Sequence, residues 1–197
     1  MTTDPRVRRT QDRLRQALAE LIVQRGYESI SIRDVAAEAS VGYATYFRHY
    51  PSKDALLLDL LQRSIQDMAQ LLPPGRDADP AEEGRAIFTH VAQHEQLFRI
   101  LLRGEGTLAM LEEVQAAAVA EVMDRFAGRR EPAIPLEILA HHLVASIIAL
   151  IGWWLQQGQP YPPQRMGQIY AEMIMRPFAA LAGQDRMLDG STESAAG

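Results

Sequence analysis

The chain has 197 residues, is 47% hydrophobic, contains no cysteine and carries a formal net charge of −5. That composition supports a real hydrophobic core and excludes disulfides, thiolate metal sites and cysteine nucleophiles. The charge is unevenly spread, with nine Arg and Lys against seven Asp and Glu in residues 1–55, and 11 against 18 in the rest, so phosphates can approach one end and are repelled elsewhere. The polar segment Met1 to Arg13 does not read as a signal peptide, and Leu143–Leu155 falls short of the roughly 20 apolar residues that span a bilayer. A soluble, cytoplasmic protein is expected.

From Arg6 to Arg25 the residues Leu14, Ala17, Leu18, Leu21 and Ile22 recur at three- and four-residue steps, the stripe of an amphipathic helix. Gly26 ends it. Ser31 and Asp34 form a capping pair that starts a second helix at about Ile32 to Ala39. Ser40-Val41-Gly42 interrupts it, and Tyr43 to Tyr50 resumes helical spacing until Pro51. Two short helices joined by a tight glycine-containing turn have the geometry of a helix-turn-helix. Ser52 is the expected N-cap of a fourth helix, which runs to about Leu72.

The segment from Pro73 to Pro80 has the composition of a loop. Four more helical stretches follow: about Pro80 to Arg103 with a break near His94, Thr107 to Ala127, Pro135 to Gln157, and Pro163 to Leu181. No strand-like alternation survives, so the expected fold class is all-α. The expected division is 1–52 as a small three-helix domain, 53–189 as a larger helical domain, and 190–197 as a disordered tail.

The segment Ser31 to Leu56, SIRDVAAEASVGYATYFRHYPSKDAL, resembles the DNA-binding segment of TetR-type regulators, whose pattern runs roughly T-x-R-D-I-A-x-x-A-G-V-S-x-G-T-L-Y-x-H-F-P-S-K-E-A-L. The likeness extends over about residues 8 to 60. Ser40 stands where a turn glycine is common, Gly42 where serine is common, and Ala44 where a second glycine is frequent. Phe47 replaces a tyrosine whose hydroxyl usually meets a phosphate, and whether Tyr46 takes over that contact is open.

The resemblance implies an N-terminal helix-turn-helix domain, followed by a helical domain that binds an effector and dimerises. It further implies a transcriptional regulator, in the first instance a repressor, bound as a homodimer to palindromic operator DNA. An activator of the same fold, or an adaptor that binds protein in place of DNA, is the alternative. Enzymatic motifs are lacking: there is no glycine-rich phosphate loop, no G-x-S-x-G and no H-E-x-x-H.

A recognition helix presents its N-terminal part to base edges while flanking groups hold phosphates. On that geometry Gly42, Tyr43, Ala44 and Thr45 face the bases, Thr45 having a local cap or packing role as its alternative. Arg33, Arg48, His49 and Lys53 are the phosphate candidates, with Lys53 favoured because it opens a helix. Leu14, Leu18, Ile22, Ile32, Val35, Ala39, Val41, Phe47 and Tyr50 are expected in the small domain's core.

For the effector, Phe88, His94, Phe98, Met110, Met123, His142, Ser146 and Trp153 are candidate lining residues among aliphatic stripes. An apolar or aromatic ligand suits them better than a highly charged one. His90 and His94 stand at i, i+4, but no third ligand is placed with them, so neither a metal nor another cofactor is expected. The helices at about 135–157 and 163–181 carry more apolar surface than one face needs. The resemblance makes them the homodimer interface.

Overall fold

The structure is a computed structural model that describes residues 4–71, 79–103, 108–126 and 134–181. Among these residues the regular elements are helices, with no strand. The expected loop at 73–78 and the expected tail at 190–197 lie outside them.

Helix α1, Pro5–Arg25, opens where the Asp4 carboxylate accepts the Arg6 amide at 2.8 Å. Pro5, with no amide of its own, costs nothing in the first turn. Its buried stripe is the expected one, Leu14, Ala17, Leu18, Leu21 and Ile22. Gly26 ends it at φ +73°, a backbone region that glycine enters without steric cost. Helix α2, Ile32–Glu38, begins in the capping box that Ser31 and Asp34 promise, with the side chain of each accepting the other's amide.

The turn into helix α3, Tyr43–Tyr46, passes through Ser40 at φ +50°. That is the left-handed region, where a Cβ costs roughly 1–2 kcal/mol, so the turn glycine of the family pattern has a physical reason. Gly42 caps α3 with no side chain to offer, and a Cβ there would meet only the Thr45 hydroxyl oxygen at 3.5 Å. We expect Ser40→Gly with Gly42→Ser to stabilise the N-terminal unit by about 1 kcal/mol, combining relief at the turn with a new N-cap bond. Equilibrium denaturation checks this, and a loss of stability would contradict the turn geometry.

Helix α4, Lys53–Leu71, starts where the Ser52 hydroxyl accepts the Ala55 amide at 3.0 Å, as expected of that serine. Helices α5, Pro80–Gln93, and α6, Glu95–Arg103, are separated at His94, whose carbonyl restarts the ladder by accepting the amides of Leu97 and Phe98. Helices α7, Leu108–Phe126, and α8, Leu136–Gln156, come next.

The last expected helix is not uniform. It runs as α9, Pro163–Tyr170, widens into a π turn over Ala171–Met175, and tightens again as α10, Arg176–Leu181. Pro177 supplies the reason: it lacks the amide for an i→i−4 bond, and its ring crowds the preceding turn, which a wider turn relieves.

The chain packs as two compact units that are not consecutive in sequence. One draws on residues 1–67 and 94–114, the other on 68–93 and 115–197, each through its described residues. A cut after Ser52 is a different partition, because α4 enters the first unit through its own contacts. In that unit α6 also packs on α1.

In the second unit α5 packs against α9 glycine to glycine. A Cβ on Gly84 would stand 2.8 Å from the Gly167 Cα, and one on Gly167 would stand 2.3 Å from the Ala81 carbonyl oxygen. Nearby, buried Glu83 accepts from Arg125 and ties α5 to α7. Burial, with the Glu83 charge close by, pushes the Tyr170 phenol well above its ordinary range, so it stays neutral.

Helix α8 is long and apolar enough to cross a membrane by length and composition. One of its faces, including Leu139, Ala140, Leu143 and Trp154, is buried inside the second unit, while Ile138, His142, Ala145, Ala149 and Trp153 form an exposed stripe at helical spacing.

Candidate nucleic-acid interface

Helix α3 is one turn long. The amides of Thr45 and Tyr46 close on the Gly42 carbonyl, and further turns carry the chain to Tyr50. Gly42, Tyr43, Ala44 and Arg48 are exposed, and Thr45 and His49 partly so. These six, expected at the DNA from the sequence, lie exposed or partly exposed along one short stretch beside the turn.

Two neighbours exchange the places expected of them. Tyr46 is 0% exposed and its hydroxyl donates to the Ser52 carbonyl at 3.0 Å. It is a core residue and does not replace the hydroxyl missing at position 47. Phe47, assigned to the core by its hydrophobicity, is 45% exposed. The reason is rotational: one position on a helix turns a side chain by about 100°, and the inward direction set by Val35, Ala39 and Tyr50 meets position 46. Ile32 and Val41 are only partly buried, whereas the other expected core residues are buried.

The cations differ in how they are held. The Arg33 guanidinium lies over the Tyr43 ring, 5.6 Å from its centroid. Arg48 donates to the Thr45 hydroxyl at 2.7 Å, which makes the local role of Thr45 visible. Arg13 donates to the Ser40 carbonyl at 3.0 Å, bracing the turn from α1. Lys53 is turned inward: its ammonium donates to the carbonyls of Tyr27 and Ile30, each at 2.9 Å, and sits 4.0 Å from the Tyr27 ring centroid. An ammonium has three protons, so two of them are engaged by these carbonyls.

This lysine is part of a clamp on α4 that sequence reasoning missed. The Tyr27 hydroxyl donates to Asp54, the Tyr50 hydroxyl donates to Asp59, and Arg15 pairs with Asp59 at 2.8 Å. Burial first, and the adjoining carboxylates second, push the Tyr27 and Tyr50 phenols well above their ordinary range, and burial raises Tyr46 to about 12. All three remain neutral donors at physiological pH. A signal was present in the sequence, since Asp54 and Asp59 interrupt the leucine-rich start of α4, but their partners lie 27 and nine residues away.

The candidate effector residues fall in both units, His94 and Phe98 in the first and Phe88, Met123, His142, Ser146 and Trp153 in the second. Phe88 is fully buried and packs edge-on against Trp154, at 5.1 Å between centroids. Met123 packs on a cluster of Val119, Ala140 and Val144. Phe98 is buried in the other unit. His94 and His142 are exposed, Ser146 is partly buried, and Trp153 is exposed and stacked on Tyr161. The buried tryptophan is therefore Trp154, and its indole donates to the Tyr161 carbonyl at 2.8 Å. The side chain of Met110 lies outside the described residues.

Comparison with known proteins agrees with this architecture. Residues 14–60 match the family described as bacterial regulatory proteins, tetR family, and residues 80–176 match a transcriptional regulator C-terminal region. The chain is 33% identical over 141 residues to the HTH-type transcriptional repressor Rv3405c of Mycobacterium tuberculosis, covering 71% of this chain and 69% of that one. It is 32% identical over 123 residues to the HTH-type transcriptional repressor KstR of Rhodococcus jostii, covering 59% and 57%. Some other relatives are longer, so that the chain spans about half the length of the first curated relatives it matches. A tetR-family transcriptional regulator from Streptomyces coelicolor shares the fold, with a TM-score of 0.63 at 21% identity, over 91% of this chain and 84% of that one. On the two matched segments and the helix-turn-helix geometry together, the chain belongs to the TetR family of bacterial regulatory proteins.

Proposed function

We propose that the protein is a transcriptional repressor that binds a palindromic operator as a homodimer and releases it when the second unit takes up a small apolar or aromatic molecule. The observation that carries this reading is the surface around α3, where Arg33, Tyr43, Phe47 and Arg48 are all exposed and the Arg33 guanidinium lies over the Tyr43 ring. Gly42, Tyr43, Ala44 and Thr45 meet the bases on this reading. Arg33, Arg48, His49 and Lys53 hold phosphates on this reading. Repression is favoured over activation by the two repressors among its relatives.

Exposed apolar residues on α8 and on α9–α10, among them Ile138, Trp153, Met173 and Leu181, support a helical dimer interface in which a second copy covers them. Two recognition helices then reach successive major grooves ~34 Å apart. Release requires only that the effector bind the DNA-competent arrangement less well than the other.

The test is fluorescence anisotropy with duplex DNA from upstream of the protein's own gene, across a salt series. Binding should be saturable and weaken with salt. Arg33→Ala and Arg48→Ala should each reduce the steepness of log K against log salt by about 1.8, the value of two phosphate contacts, one from each protomer of the dimer. Weak binding of equal strength to every sequence, unchanged in the variants, would favour the protein-adaptor alternative.

A further inference from the structure

The outward face of α3 is poor in the groups that usually read bases. Gly42 and Ala44 have no side-chain donor, and the Thr45 hydroxyl is engaged by Arg48. What projects instead are two rings, Tyr43 at 49% exposure and Phe47 at 45%. They meet edge to face with centroids 5.2 Å apart.

The pair is braced from both sides. Phe47 also meets the buried Tyr46 ring edge-on at 5.5 Å, and Arg33 covers Tyr43. Two anchored rings on a solvent face form an apolar ridge whose shape exists before any partner arrives. In the major groove the apolar feature that distinguishes one base from the others is the C5-methyl group of thymine. Phe47 has no hydroxyl with which to reach a phosphate, so its ring has only apolar contact to offer.

We propose that Tyr43 and Phe47 form a thymine-reading ridge, so that sequence preference in each half-site comes from methyl groups packed on these rings, with no bidentate hydrogen bonding to guanine or adenine. The inference rests on the operator-binding reading above. Residues four apart on a helix are separated by roughly 6 Å along its axis. With ~3.4 Å between base pairs, the two rings reach thymines one or two base pairs apart.

The test starts by selecting tight-binding duplexes from a random DNA pool with the full chain. Each thymine of a selected duplex is then replaced by deoxyuridine, which removes only the methyl group. One or two thymines per half-site should show about a fourfold rise in Kd, the effect of returning one methyl group to water. The effect should vanish at one position in Tyr43→Ala and at the other in Phe47→Ala, while Phe47→Tyr, which keeps the ring, should retain it. A selected duplex indifferent to uridine, or sensitivity undiminished in both alanine variants, would overturn the ridge and leave operator binding intact. If no duplex is selected, operator binding fails and the ridge with it.

Discussion

Replacing Tyr46 by alanine is expected to destabilise the N-terminal unit by about 3–5 kcal/mol, the range for truncating a buried aromatic residue. The same change at Phe47, which is 45% exposed and meets two rings edge-on, should cost only about 1 kcal/mol. Tyr46 is fully buried, and its hydroxyl joins α3 to the residue that caps α4, so truncation opens a cavity and leaves the Ser52 carbonyl without its partner. Tyr46→Phe keeps the ring and loses one neutral hydrogen bond, about 1 kcal/mol. Denaturant unfolding followed by circular dichroism, paired with DNA-binding anisotropy, separates the two positions. Tyr46→Ala should lose DNA binding because α3 loses its seat, whereas Phe47→Ala should fold normally and bind DNA more weakly. The opposite order of stabilities would mean that α3 is rotated by one residue from its position here. Phe47→Tyr restores the hydroxyl of the family pattern, and its gain in affinity should be equal on selected and scrambled duplexes, since a phosphate contact carries no sequence information.

Gly167→Ala should destabilise the second unit by about 2–3 kcal/mol, although helix propensity alone argues for a gain of about 1 kcal/mol. The added Cβ would lie 2.3 Å from the Ala81 carbonyl oxygen and 2.7 Å from the Arg85 amide nitrogen. Both are backbone atoms of α5, which no side-chain rotation can move aside, so the helices must separate along their contact. Gly84→Ala meets the same crossing from the other helix, through the Tyr170 ring at 2.6 Å and the Gly167 Cα at 2.8 Å. The double variant should cost less than the two single costs combined, because one separation of the helices relieves both clashes. At roughly 2–4 °C per kcal/mol for a chain of this size, thermal melting should show a fall of about 4–12 °C for Gly167→Ala. An unchanged or raised melting temperature would show that α5 and α9 do not touch at these glycines.

Local chemistry was readable without coordinates wherever a residue acts on neighbours within a turn of itself. The Ser31–Asp34 capping box, the Ser52 cap, the Gly26 stop and the stripe on α1 each depend on separations of four residues or fewer, and each is found where the sequence puts it. The all-α class and the break at His94 follow from the same short-range rules. Hydrophobicity could not decide which of Tyr46 and Phe47 points inward, since both are aromatic and α3 is too short for periodicity to fix its rotation. That choice belongs to packing against α2 and to the bond from Tyr46 to Ser52.

Similarly, Lys53 is a cation at a helix start by sequence, but its engagement with Tyr27 and Ile30 depends on a fold that brings together residues 26 and 23 apart. The Gly84–Gly167 crossing and the Glu83–Arg125 pair are further cases, since a glycine or a charge inside a helix does not name its partner in another. Sequence by itself determined the helices, their ends and the family of the recognition segment, because these arise from local backbone preferences and spacing. Tertiary structure alone decided which face of α3 meets solvent, which cations are already engaged, and which glycines are contacts, because those depend on the close approach of segments far apart in the chain.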